Sequence, residues 1–153
     1  MQNLMKNFRK SCAALILGLA LIQTPVLADN NRPIQVNELP QTAQTLLKKS
    51  FGKLTVVSAT SERDFLDKNY EVHFNNGGSV EFDSKGNWVE INGGNQPVPA
   101  QFIPAAITSH VKQTWSDATI QRIEKDRKHI EIKLSNGIEV TYDANFKVVD
   151  VDN

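Results

Sequence analysis

NYEVHFNNGGSVEFDSKGNWVEI, residues 69–91, reads as three antiparallel strands joined by two tight turns. Tyr70, Val72 and Phe74 alternate with Glu71, His73 and Asn75, and Asn76-Gly77-Gly78 turns the chain back. Val80 and Phe82 then alternate with Ser79, Glu81 and Asp83, so the hairpin has one apolar face. Asp83-Ser84-Lys85-Gly86 supplies the second turn, in which glycine takes the positive φ that closes it. Trp88 to Ile91 forms the third strand, and a sheet with one apolar face needs a cover.

The pattern recurs at a constant offset of sixty positions, in HIEIKLSNGIEVTYDANFKVVDV, residues 129–151. Ile130, Ile132 and Leu134 stand for Tyr70, Val72 and Phe74, and Asn136-Gly137 for Asn76-Gly77. Val140, Tyr142, Val149 and Val151 stand for Val80, Phe82, Val89 and Ile91, which reads as an internal duplication. At the second turn Phe146 occupies the place of Gly86, and Asn145 beside it is the residue expected to go left-handed.

Lys6, Arg9 and Lys10 precede an uncharged apolar run from Cys12 to Ile22, followed by Thr24-Pro25-Val26-Leu27-Ala28. This is the pattern of a secretory signal peptide over residues 1–28, and the apolar run is shorter than the ~20 residues of a spanning helix. The expected product is periplasmic or secreted, with no stable membrane insertion after cleavage. Cys12 is the one cysteine, so the exported form has neither disulfides nor thiol chemistry. Of 153 residues, 125 remain; 17 acidic residues then face 14 basic ones, a net charge of −3. A mildly acidic chain without a basic stripe is not built to bind nucleic acid.

Residues 29–37 are polar and read as a flexible lead. Leu39, Ala43, Leu46, Leu47 and Phe51 then fall at helical spacing, with Pro40 in the first turn. Ile103-Pro104, Ile107, Val111 and Trp115 repeat this pattern at an offset of sixty-four, so four extra residues are expected in the first repeat between Ser61 and Asn69. Leu54–Thr60 and Ala118–Ile123 are rich in β-branched residues and read as a further strand in each repeat. The expected fold is α+β. It is a tandem repeat of a helix followed by a four-stranded antiparallel sheet, with the helices packed on one face of the sheet. Repeat 1 spans 38–92, a Gly- and Pro-containing linker 93–98, and repeat 2 99–153, the two repeats forming one compact unit.

The Leu-Pro helix ending at Phe51, Tyr70-Glu-Val-x-Phe and Val80-Glu-Phe-Asp-x-x-Gly-Asn-Trp88, duplicated behind a leader, resemble the PepSY-like family of exported bacterial proteins. That family is similar in fold to the β-lactamase-inhibitor protein, and the resemblance covers Glu38 to Asn153. It implies binding or inhibition rather than catalysis. Phe146 and Val148 depart from the Gly-Asn-Trp of the first repeat, so a function tied to that turn belongs to repeat 1.

No catalytic residue is identified. His73, His110 and His129 share no metal-ligand spacing, and no cofactor or metal site is expected. Gly77-Gly78 and Gly93-Gly94 lack a phosphate-loop lysine, and no Ser, His and Asp arrangement sits in an elbow. Alternation instead assigns Val89 and Ile91 to the covered face and turns Trp88 outward with Glu90. Trp88, Glu90, Glu71, His73 and Glu81 are the candidate binding residues, an aromatic anchor in a polar rim. Glu131, Lys133, Glu139 and Thr141 continue that face in the second repeat, and Trp115 is expected in the core. The function expected is a non-enzymatic exported module that binds a protein or peptide, with inhibition of a peptidase or other hydrolase as one form of it. The alternative is a small-ligand or metal-ion sensing module of the cell envelope.

Overall fold

Each turn of the 69–91 run forms where a residue takes the left-handed conformation. At Gly77 φ is +80°, and Phe74 and Gly78 close the loop through a 2.9 Å bond from the Phe74 amide to the Gly78 carbonyl. At Gly86 φ is +83°, and the Asp83 carboxylate accepts the amides of Lys85 and Asn87, both at 2.9 Å. A Cβ on Gly86 would lie 2.8 Å from the Pro40 Cβ and 2.9 Å from the Ala43 nitrogen, because this turn lies against the start of a helix. The Asp143 turn has the same bonding, with the amides of Asn145 and Lys147 on its carboxylate. There Phe146 itself takes φ +60°, not Asn145. Geometry at the closing position, rather than the residue's own tolerance, decides which residue turns left-handed.

The computed structural model describes residues 31–63 and 67–153. The signal peptide expected over 1–28 lies outside them, as does part of the segment expected to hold four extra residues. Nine strands are present among the described residues: β1 Asn31–Pro33, β2 Val56–Arg63, β3 Lys68–Phe74, β4 Ser79–Phe82, β5 Trp88–Asn92, β6 Ile120–Lys125, β7 His129–Leu134, β8 Glu139–Asp143 and β9 Val148–Asp152. Two helices accompany them, α1 Gln41–Phe51 and α2 Ala105–Thr114. Both start behind a proline whose carbonyl accepts the first helical bond, Pro40 from Gln44 and Pro104 from Thr108, at 3.1 Å each.

The expected tandem of helix-plus-four-strand sheets is incorrect. All nine strands form one antiparallel sheet in sequence order, β1 to β9, carrying only two short helices. The seam is β5 on β6, where Glu90 opposes Glu124, Ile91 opposes Ile123 and Asn92 opposes Arg122. Two separate sheets would leave β5 and β6 as additional unpaired edges, and joining them pairs those backbone groups. The expected flexible lead is also partly ordered: residues 31–33 pair with β2, and Val36–Glu38 forms a 3₁₀ turn.

One core runs under both helices. Ala43, Leu47 and Phe51 of α1, with Ile107 and Val111 of α2, pack with Tyr70, Val72, Phe82, Ile91, Ile123, Ile132, Val140 and Tyr142 from the sheet. Phe51 stacks on Phe74 at 5.1 Å and on Phe102, which precedes α2, at 5.6 Å, so aromatic contact crosses from one half of the chain to the other. Trp115 is half-buried at the end of α2 rather than central, edge-on to His110 at 5.5 Å. The His110 Nδ1 in turn lies 2.9 Å from the hydroxyl of the buried Tyr142. Val149 and Val151, expected inside, are exposed, because the covered region ends at β8.

Candidate functional site

The face of the sheet opposite the helices is set by alternation on each strand. Val72, Val80, Ile91, Ile123 and Ile132 are fully buried on the covered side. Their neighbours must therefore point the other way. Following the strand register across the sheet, Glu71 opposes Glu81, Glu81 opposes Glu90, Glu90 opposes Glu124, and Glu124 opposes Glu131. Five adjacent strands thus place a glutamate at the same level, with Thr60 at one end of the row and Thr141 and Asp150 at the other. Directly opposed side chains have Cβ atoms about 4.5–5.5 Å apart, and like charges there are destabilising.

The next level across the same face reads His73, Ser79, Asn92, Arg122, Lys133 and Glu139. Arg122 reaches back into the carboxylate row, 2.5 Å from Glu131, 3.6 Å from Glu124 and 3.7 Å from Glu90. Its Nε is buried without a hydrogen-bond partner. Lys133 pairs with Glu139 at 2.8 Å, and His73 Nε2 lies 3.3 Å from Glu71.

Arg122 lies among three of these carboxylates, Glu90, Glu124 and Glu131. Burial, then the charge of Glu90, push the Glu124 carboxyl up to about 7 against the opposing pull of Arg122, with Glu131 and Glu81 adding to the rise. Glu90 is raised as well, by burial first, with Arg122 opposing and Glu71 and Glu131 reinforcing. For Arg122 burial favours the neutral form, but Glu90, Glu124, Glu131 and Glu139 together raise its pKa further. The face is a row of crowded carboxylates around the Arg122 cation, with Glu124 partly protonated near neutral pH. Among the described residues no three or more His, Cys, Asp or Glu converge as a metal-holding group.

Of the five candidate binding residues, Glu71, Glu81 and Glu90 stand in the row and His73 beside it. Trp88 does not. A register shift between Glu81 and Phe82 sets Trp88 directly opposite the buried Phe82, leaving Val89 as the extra residue of a β-bulge. Trp88 is thereby turned to the helical side, where it meets Phe102 edge-on at 5.7 Å and the Lys125 ammonium lies 3.7 Å from its ring centroid. Strict alternation assumed no bulge, and that assumption misdirected the ring. Sequence reasoning did not include Arg122 and Glu124 in the site. The alternation Arg122-Ile123-Glu124 carried the signal, but their place beside Glu90 depends on the β5–β6 seam.

The family model described as "Putative beta-lactamase-inhibitor-like, PepSY-like" matches residues 68–150. Solved structures of three Bacteroides proteins, each described as a "putative" periplasmic protein, are also similar to this chain. One from Bacteroides vulgatus ATCC 8482, of the DUF2874 family, is 47% identical, with a TM-score of 0.79 over 82% of this chain and 99% of that one. A protein from Bacteroides thetaiotaomicron, described as calcium-regulated, matches with the same identity, TM-score and coverage. A second Bacteroides vulgatus protein, of unknown function, is 33% identical, with a TM-score of 0.76 over 80% of this chain and 99% of that one. No curated protein matches.

Proposed function

The chain belongs to the PepSY-like family, and from that premise we propose that it is a non-enzymatic binding module whose open sheet face takes a cationic segment of another protein or peptide. It is a periplasmic protein, like the relatives it matches. The observation that carries the reading is the row of Glu71, Glu81, Glu90, Glu124 and Glu131 on five neighbouring strands, with Arg122 beside Glu90, Glu124 and Glu131. Like charges placed directly opposite one another cost stability, and a partner bringing lysine or arginine relieves that cost on binding. His73 and the aliphatic stems of the glutamates frame the row, which gives a flat, polar recognition surface in place of a pocket. Trp88 supports this surface from beneath, through the β5 bulge, rather than anchoring the partner. Inhibition of a peptidase or other hydrolase is one use of such a surface, and the family's description as "Putative beta-lactamase-inhibitor-like" supports the inhibitory part of that reading.

The test is calorimetric titration of the exported protein with a lysine- and arginine-rich peptide and with an acidic peptide of equal length. The basic peptide alone should bind, more weakly as salt is raised, and Glu81→Gln with Glu90→Gln should weaken it on the order of tenfold. Equal binding of both peptides, or of neither, would overturn the reading.

A second reading, sensing of a divalent cation, is favoured by the Bacteroides thetaiotaomicron relative described as calcium-regulated. Saturable calcium binding that raises the melting temperature and is lost in Glu90→Gln would select it over the first. Calcium without effect on the melting temperature would exclude it.

A further inference from the structure

The two edges of the sheet are built differently. β1 has three residues; Pro33 has no N–H to offer, and Arg32 is held 2.6 Å from Glu38. A short, proline-bearing edge is blunted against pairing. β9 has five residues, three of them valine, and no proline. Beside and along it Phe146, Val148, Val149 and Val151 are 41, 40, 50 and 48% exposed, the largest such grouping among the described residues. In the sheet order β9 has β8 on one side and no described strand on the other.

We propose that β9 pairs antiparallel with β9 of a second copy of this chain, in the register that sets Lys147 opposite the partner's Asp152. Val148 then opposes the partner's Val151, while Val149, the extra residue of the bulge that sets Val148 opposite Tyr142 and Asp150 opposite Thr141, lies with Asp150 at the two-fold centre. A two-fold axis normal to the sheet makes two copies of one strand antiparallel and keeps both helical faces on the same side. Opposed residues must share a face. Val148 opposes Tyr142 and Val151 opposes Val140, so both belong to the helical side. Asp150 opposes Thr141 and Asp152 opposes Glu139, on the other side, and alternation puts Lys147 with them. The register joins valine to valine on one face and, on the other, forms two Lys147–Asp152 pairs related by the axis. A slip of one residue in either direction sets a side chain of the helical face against one of the opposite face. One of those slips also places Asp150 against its own copy. Self-complementarity of charge and face therefore selects a second copy, in one register, as the occupant of this edge.

The test measures mass against concentration by sedimentation of the full exported protein at low ionic strength. The parent should form a reversible dimer. Lys147→Asp and Asp152→Lys should each weaken it on the order of tenfold, since each reverses a charge in both pairs. The double variant should return to the parent's value. Both side chains are exposed, and Lys147 holds its turn through its backbone amide and carbonyl, so each variant should keep the parent's circular dichroism spectrum. A parent that stays monomeric to roughly millimolar concentration, single variants that dimerise as well as the parent, or a double variant that fails to recover would each overturn the proposal.

Discussion

At Phe146 a bulky residue occupies a conformation that glycine takes for nothing. Its φ of +60° matches the +83° of Gly86, and both close turns with the same aspartate bonding. Left-handed backbone costs a residue with a Cβ about 1–2 kcal/mol. Phe146 is exposed and loses little packing when removed. Phe146→Gly should therefore stabilise the protein by about 0.5–1 kcal/mol, read from a denaturant midpoint. The reverse change, Gly86→Ala, should destabilise, since its new Cβ meets Pro40 and Ala43 within 3 Å as well as the positive φ. Trp88 makes the complementary point about packing. Held between Phe102 and Lys125, it should on Trp88→Ala cost about 2 kcal/mol or more of stability while leaving peptide binding to the carboxylate face nearly unchanged. An equal loss of binding in a variant of parental stability would return Trp88 to the recognition surface.

At the scale of elements, the carboxylate row is a property of strands in register, and its consequence is a dependence on pH. The Glu124 carboxyl sits at about 7 in the folded protein, through burial first and then Glu90, against an ordinary value of 4.5. Between those values the folded state holds a proton that the unfolded chain has released. The group's contribution to stability is full below 4.5 and is lost as pH rises through about 7. Stability should accordingly fall between about pH 5 and about pH 8, and Glu124→Gln should flatten the fall, adding about 1–3 kcal/mol at the upper end. Parallel denaturant titrations of parent and variant check this. The same slope in both would show that Glu124 is not the group that titrates. Arg122 lies 2.5 Å from Glu131 and 3.7 Å from Glu90, so Glu124→Gln does not remove every partner of the cation.

At the scale of the whole molecule, the β5–β6 seam and the Phe51–Phe102 stack bind the two halves of the chain into one sheet over one core. Unfolding should be a single transition by circular dichroism and tryptophan fluorescence alike. Ile91→Ala, at the seam and fully buried, should move that transition by about 2–5 kcal/mol without splitting it. A resolved second transition would mean that the halves fold separately. The sequence by itself was enough for the hairpins, because alternation and a left-handed turn residue are local requirements: Tyr70, Val72, Phe82 and Tyr142 are buried as their spacing required. It was also enough for the family and for four of the five glutamates in the row on the open face, Glu71, Glu81, Glu90 and Glu131. The single sheet, the inward turn of Trp88 and the place of Glu124 and Arg122 were decided by tertiary structure. A bulge changes alternation by one residue without any distinctive residue to announce it, and strand pairing across a linker depends on which edges remain unsatisfied once the helices have packed. Local periodicity determines which way a side chain points along one strand, but only the pairing of distant strands determines which side chains stand together.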